Sequence, residues 1–312
     1  MTANNPSVTA MANAEDRAAL ANRTLPQMRL STAANPLTAV RPPVAGRTSA
    51  QRALDRFRVE GNAVITGGGG NIANVAVRAL LDHGLAQVCL LDLARTLDGT
   101  RDQTAQLQKD YPDAKICTIT LDVTDEDAVK LAMADAHRTM GSIDILCCFA
   151  GVVGCVQSIH VSAADWRKVV DVNLTGSFLC AQAAARHMIE TGQGGSIMLT
   201  ASISAHRVNF PQPQAAYNVS KAGIKNLAQD LAAEWAVHGI RVNSLSPGYV
   251  DTVLNAGDNL AAVRAVWAER CPMGRMADAE ELTGAVVLLS SDRAGRYITG
   301  TDIVVDGGAC CF

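Results

Sequence analysis

No run in the 312 residues is long and apolar enough to cross a bilayer, and the N-terminus lacks the charged-then-apolar pattern of a secretory signal. Aromatic side chains are scarce, at 4 % of the chain, and no basic stripe interleaves with them. That removes nucleic acid as an expected partner. The nine cysteines follow neither a disulfide framework nor a zinc spacing. Cys89, Cys117, Cys147 and Cys148 stand in apolar, strand-like runs, where a free thiol behaves as a small core residue. The adjacent pairs Cys147–Cys148 and Cys310–Cys311 read as incidental, and a reducing compartment follows. There is no internal repeat and no second alternating block.

What is present is a well-buried composition. Nearly half of the residues (48 %) are hydrophobic and 18 % are charged, which suits an α/β core. Residues 1 to about 57 differ from the rest. They contain no Lys, and seven Arg stand against Glu15, Asp16 and Asp55, a formal +4 within a total of −3. Arg41-Pro42-Pro43 cannot continue a helix. This stretch reads as a flexible extension preceding a catalytic domain at 58–312. Its Arg-bearing, Thr-rich composition leaves a mitochondrial targeting role as the alternative to a cytoplasmic protein, with Glu15-Asp16 counting against targeting.

From about residue 60 the pattern alternates. Apolar, β-branched runs stand at 62–66, 87–91, 115–120, 143–149, 196–200, 240–245 and 301–305. Helical stretches lie at 72–83, 101–110, 125–139, 162–190, 215–238 and 278–290. Seven short strands joined by helices predict a doubly wound parallel sheet, an α/β Rossmann fold in one domain with an N-terminal extension.

Chemistry-bearing residues fall where that fold places ligands. Thr66-Gly67-Gly68-Gly69-Gly70-Asn71-Ile72-Ala73 joins the first strand to a helix. Glycines there let the backbone approach a pyrophosphate, and the helix N-terminus offers free N–H groups. Asp92 ends the second strand, where an acid accepts the ribose hydroxyls of NAD and repels the 2′-phosphate of NADP. Arg95 nearby softens that discrimination if it pairs with a phosphate. Leu121-Asp122-Val123 closes the third strand. Asp122 either accepts from the adenine amino group or, with Thr124 and Asp125, caps the next helix.

Tyr217 and Lys221 lie four apart on one helix face. A Lys cation and a cationic nicotinamide both favour a phenolate, so Tyr217 is a candidate proton carrier. Ser202 ends the fifth strand and can hold a substrate oxygen, with Ser204 as competitor. Asn173, inside a helical stretch where Asn is a mediocre former, either caps locally or carries a water toward Lys221.

Taken together, the glycine turn, Asp92, Asp122-Val123, Cys148-Phe149-Ala150-Gly151, Asn173, Ser202, Tyr217-x-x-x-Lys221 and Pro247-Gly248 come in the order of the short-chain dehydrogenase/reductase family. The chain resembles that family over about residues 60 to 308, and within it the fungal branch acting on sugar alcohols and ketoses of the arabinitol, mannitol and sorbose type. The resemblance implies a sheet order of 3-2-1-4-5-6-7 and a homotetramer or homodimer. It implies that Tyr217 is the acid/base, that Lys221 lowers its pKa and binds the nicotinamide ribose, that Ser202 orients the substrate oxygen and that Asn173 supports a relay water. It further implies cofactor contacts at Gly67, Gly70, Asn71, Ile72, Asp92, Asp122, Val123, Ala150, Gly151, Pro247, Gly248, Val250 and Thr252, with NAD favoured over NADP. Asn71 and Ala73 replace the usual second and third glycines of the turn. Asn71 is an expected stand-in because Asn tolerates a left-handed backbone. Cys148-Phe149 replaces a pair of Asn.

The expected activity is interconversion of a secondary alcohol and a ketone, most plainly a sugar alcohol and its ketose. Another alcohol or carbonyl substrate is the alternative, and a non-catalytic dinucleotide-binding protein is the reading from a different class. Gln157, Asn209, Gln212, Gln214 and the loop residues Asp251, Thr252, Asn255, Asp258 and Asn259 are the candidate hydroxyl-binding groups, with solvated loop residues as the alternative reading.

Overall fold

A computed structural model describes residues 24–42, 44–252, 255 and 257–312. The reading of residues 1–23 as part of a flexible, Arg-bearing extension lies outside the described residues. Seven parallel strands form one sheet: β1 (Asn62–Thr66), β2 (Gln87–Asp92), β3 (Lys115–Thr120), β4 (Ile145–Cys148), β5 (Gly195–Thr200), β6 (Ile240–Pro247) and β7 (Asp302–Val305). Their order is β3-β2-β1-β4-β5-β6-β7, as the resemblance implies. Among the described residues the helices are α1 (Ser49–Arg56), α2 (Asn71–Asp82), α3 (Ala94–Gly99), α4 (Arg101–Asp110), α5 (Glu126–Met140), α6 (Ala163–Val170), α7 (Gly176–Thr191), α8 (Ala215–Trp235), α9 (Ala261–Glu269) and α10 (Thr283–Ser290).

The strands are short and apolar on both sides because helices cover both faces of the sheet. Val64, Leu146, Cys148, Ile197 and Leu199 pack with Met133 of α5, Ala184 of α7 and Leu231 of α8. Their sequence neighbours Ala63, Ile65, Ile145, Cys147 and Met198 point the other way, against Ala76 and Leu80 of α2 and Val286 of α10. Each fully buried aliphatic side chain such as Leu80 contributes about 2 kcal/mol on transfer grounds. The alternation also disposes of the Cys147–Cys148 pair. Consecutive strand residues face opposite sides, so the two thiols lie in different cores and cannot act together.

Local signals set the ends of helix α5. Asp125 accepts from the Asp127 and Ala128 N–H groups, and Gly141 closes the helix with φ of 86°. The stretch expected as one helix over 162–190 is two. A π-helical turn, Asp171–Thr175, separates α6 from α7 and places Asn173 in the break. Such turns mark functional positions in many helices.

The described part of the extension is fastened to the domain. Asn35 donates to the Val237 carbonyl at 2.8 Å, and Arg296 donates to the Ala39 carbonyl at 2.7 Å. Arg41 pairs with Asp292, and Leu37 lies over Gly239. All these partners precede β6 or β7, so the extension grips the N-terminal edge of the sheet. Ligands of a doubly wound sheet bind at the opposite edge. Deleting residues 1–41 is therefore expected to leave kcat/KM intact while lowering Tm by about 2–5 °C. A thermal melt and a steady-state assay check this, and a large loss of kcat/KM contradicts it.

Candidate active site

The C-terminal edge of the sheet gathers the residues singled out by the sequence. At Gly67 φ is +68°, and a Cβ there would lie 2.6 Å from the Ala150 nitrogen. A Cβ on Gly68 would meet Leu90 at 2.8 Å, and one on Gly69 would meet Thr96 at 2.7 Å. Only glycine fits this turn. Gly70 is the N-cap of α2 and carries no side-chain cap, which leaves the first N–H groups of Asn71 and Ile72 open to an anion. Asn71 is already helical, and no described residue other than glycine has a positive φ. The expected left-handed role of Asn71 is thus corrected: the helix starts one residue earlier than that role requires. Ala73 is fully buried against the sheet.

Asp92 closes on the same turn. One carboxylate oxygen accepts from Gly69 N–H at 3.0 Å and the other from Leu93 N–H at 2.7 Å. The carboxylate is thereby fixed beside the glycines. Asp122 accepts from the N–H and hydroxyl of Thr124 through one oxygen, while Asp125 is the true helix cap. The glycine cradle, the uncapped helix and the fixed acid together fit a nicotinamide dinucleotide.

At the chemical end, β5 stops at Thr200 and Ser202 starts a short turn. Ser202 Oγ accepts from Ser204 N–H at 3.1 Å and lies 3.1 Å from Ser204 Oγ. Ser204 is turned away, donating to Asn209 Oδ1 at 2.7 Å. This favours Ser202 over Ser204 as the substrate-facing hydroxyl. Lys221 is buried, and its Nζ donates to the Thr200 carbonyl at 2.6 Å. It stands 5.5 Å from the centre of the Tyr217 ring. Burial pushes the Lys221 ammonium down to about 8. Burial also raises the Tyr217 phenol, against which the Ser202 hydroxyl pulls it down. The protein's own groups therefore do not produce the lowered Tyr217 pKa expected from the sequence, because desolvation of the phenolate outweighs them.

Asn173 is fully buried and bonds from both ends. Its Oδ1 accepts from Val152 N–H at 2.8 Å, and its Nδ2 donates to the Val152 carbonyl at 3.0 Å and to Ser220 Oγ at 3.1 Å. It braces the loop after β4 against α8. A Cβ on Gly151 would sit 3.3 Å from Asn173 Oδ1 and 3.7 Å from Lys221 Nζ, so this loop passes directly over the Lys–Asn pair.

A family described as enoyl-(acyl carrier protein) reductase matches residues 69–310. A D-arabinitol 2-dehydrogenase (ribulose-forming) of Candida tropicalis is 38 % identical over 268 residues, covering 82 % of this chain and 95 % of its own. An NADP-dependent mannitol dehydrogenase of Hypocrea jecorina is 38 % identical over 264 residues, covering 83 % and 96 %. The crystal structure of a short-chain type dehydrogenase/reductase from Mycobacterium marinum superposes with a TM-score of 0.78 at 39 % identity, covering 83 % of this chain and 99 % of that one.

The chain is a short-chain dehydrogenase/reductase.

As such, this dehydrogenase acts on a CH–OH group or the matching carbonyl with a nicotinamide dinucleotide. No helix among the described residues is long and apolar enough to cross a membrane. Of the remaining expected contacts, Pro247 ends β6, and Gly248 is packed so tightly that a Cβ would lie 2.8 Å from Asp306 Cα. Val250 is buried and bridges to Ala277, while Thr252 is half-buried beside residues outside the described set. The candidate hydroxyl-binding groups divide. Asp251 is held by Arg264 through two bonds of 2.8 Å, and Asn255 donates to the Val250 carbonyl, so both brace the loop. Asn209 and Gln214 are buried beside Ser204.

Sequence reasoning missed two participants. The Thr200 carbonyl, which holds Lys221, has no side-chain signature. Trp267 of α9 stacks on Tyr249 with ring centres 4.4 Å apart, and the helix-forming run 261–269 was its available signal. For Tyr217→Phe, which keeps the ring and removes the proton, turnover is expected to fall at least about a hundredfold. Steady-state kinetics check this, and turnover near wild type removes Tyr217 from the chemistry.

Proposed function

We propose that this dehydrogenase interconverts a sugar alcohol and its ketose, with NAD(H) preferred over NADP(H). The observation that carries the reading is the buried set of hydrogen-bonding side chains, Ser204, Asn209 and Gln214, that continues from Ser202. A site for an apolar ketone gains nothing from such groups, whereas a polyol needs several fixed donors and acceptors. The relatives named for arabinitol and mannitol support the same substrate class.

In this reading a nicotinamide dinucleotide at the glycine turn supplies the hydride acceptor or donor. The N–H groups opening α2 hold its pyrophosphate, Asp92 its ribose hydroxyls, and Asp122 and Val123 its adenine. Ala150, Gly151, Pro247, Gly248, Val250 and Thr252 line the rest of its path. Ser202 hydrogen-bonds the substrate oxygen. Tyr217 takes the hydroxyl proton during oxidation and returns it to the carbonyl oxygen during reduction. Lys221, pinned to Thr200, keeps a cation beside the phenol. Asn173 holds Val152 and Ser220 and is a positioning residue.

The preference for NAD rests on Asp92, whose fixed carboxylate faces the turn and would repel a 2′-phosphate. The mannitol relative is named as NADP-dependent and an L-xylulose reductase relative as NADH-dependent, so the relatives divide on the cofactor and the preference proposed here rests on Asp92 alone. Exposed apolar side chains on α6, α7 and α8, namely Trp166, Ile189 and Val219, support a homo-oligomer.

One kinetic panel tests the reading. Five- and six-carbon ketoses are expected to show higher kcat/KM than an aliphatic ketone of similar length, and NADH is expected to outperform NADPH, with the cofactor ratio narrowed in Asp92→Ala. Equal or better efficiency on the apolar ketone moves the enzyme to another alcohol or carbonyl substrate. Equal or better use of NADPH overturns the role given to Asp92.

A further inference from the structure

The polar groups around Ser202 form one continuous chain that ends on an aromatic pair. Ser204 Oγ donates to Asn209 Oδ1 at 2.7 Å, and Asn209 Nδ2 donates to Tyr249 Oη at 3.0 Å. Gln212 Nε2 donates to the same phenolic oxygen at 3.3 Å. Trp267 Nε1 donates to Gln212 Oε1 at 3.0 Å. The direction of this last bond is fixed, because an indole nitrogen donates and never accepts. It sets the orientation of the Gln212 amide and turns its NH2 toward Tyr249.

The consequence falls on Tyr249. Its oxygen receives two amide donors, which fills its ordinary accepting capacity. The phenol's own proton finds no acceptor among the described residues. Tyr249 is half-buried, directly follows Pro247-Gly248 at the C-terminal end of β6, and so stands beside the end of β5 that carries Ser202. The two phenols are close enough that a charge on Tyr249 raises the Tyr217 pKa. Stacking on Trp267, with rings 7° from parallel, holds the Tyr249 ring. Trp267 is itself buried, so the whole arrangement is fixed from behind.

We propose that Tyr249 is a specificity-determining residue, a fixed hydroxyl donor aimed at a second oxygen of the substrate chain, away from the reacting carbon. This rests on the polyol reading above and names the group that enforces it. An open-chain ketose or sugar alcohol offers that oxygen, and a simple ketone leaves the donor unpaired in a partly desolvated site.

The test compares kcat/KM for a ketose and for an aliphatic ketone of equal length, in the wild type and in Tyr249→Phe, which keeps the stack. The ketose-to-ketone ratio is expected to fall about tenfold or more in the variant, since a hydroxyl-binding group acts on discrimination. Trp267→Phe is the second variant. It keeps an aromatic neighbour but frees Gln212, and is expected to lower the same ratio by a smaller factor. A ratio within about threefold of wild type in Tyr249→Phe, whether both efficiencies fall together or neither moves, overturns the proposal and makes the chain a structural support. If the wild type itself prefers the aliphatic ketone, the polyol reading fails first, and this inference falls with it. The two failures are therefore distinguished by which protein shows them.

Discussion

The site depends on one buried cation. Lys221 Nζ sits at the C-terminal edge of the sheet and donates to the Thr200 carbonyl. Removing an ammonium from water is costly, and its pKa falls to about 8 in response. What the bond secures is register. It ties α8 to the last residue of β5, and Tyr217, four residues earlier on the same helix face, is carried into place with it. Ser202 follows Thr200 by two residues, so the same anchor fixes the distance between the hydroxyl and the phenol. Asn173 closes the arrangement from the other side by bracing Val152 and Ser220.

Chain topology makes these convergences possible. In a parallel sheet every strand ends at the same edge, so residues far apart in sequence meet there without special design. Gly67 after β1, Asp92 at the end of β2, Gly151 after β4, Ser202 after β5 and Gly248 after β6 are all strand-end residues. The opposite edge is free for other uses, and residues 35–41 of the extension grip it. The candidate site and the attachment of the extension thus occupy opposite ends of the sheet.

Much of this was legible in the sequence, for identifiable reasons. The strands were readable because a doubly covered parallel sheet demands continuous apolar runs. The placement of the glycine turn and Asp92 at strand ends was readable because it shows in residue type directly after an apolar run. The break at Asp171–Thr175 was not, since hydrophobic periodicity continues through a π-helical turn almost unchanged. The left-handed role of Asn71 was misplaced, because a shift of one residue in the helix start decides the backbone region. Spacing shows that a Lys is near Tyr217, but it cannot weigh that charge against burial. The sorting of polar loop residues into braces such as Asp251 and a buried chain such as Asn209 to Tyr249 depends on tertiary contacts alone.

Burial raises the Tyr217 phenol, so formation of the phenolate is expected to need a bound cationic nicotinamide together with the Lys221 ammonium. With Tyr217 as the base for oxidation, kcat/KM for the alcohol is expected to rise with pH through its ionisation. Losing a neighbouring cation raises that pKa, and the rising limb should move to higher pH. The decisive measurement is the pH profile of kcat/KM for alcohol oxidation in the wild type and in Lys221→Met. A limb displaced upward by about one pH unit or more is expected in the variant. A limb that stays in place while only the plateau or the thermal stability falls would contradict it and leave Lys221 a purely structural anchor.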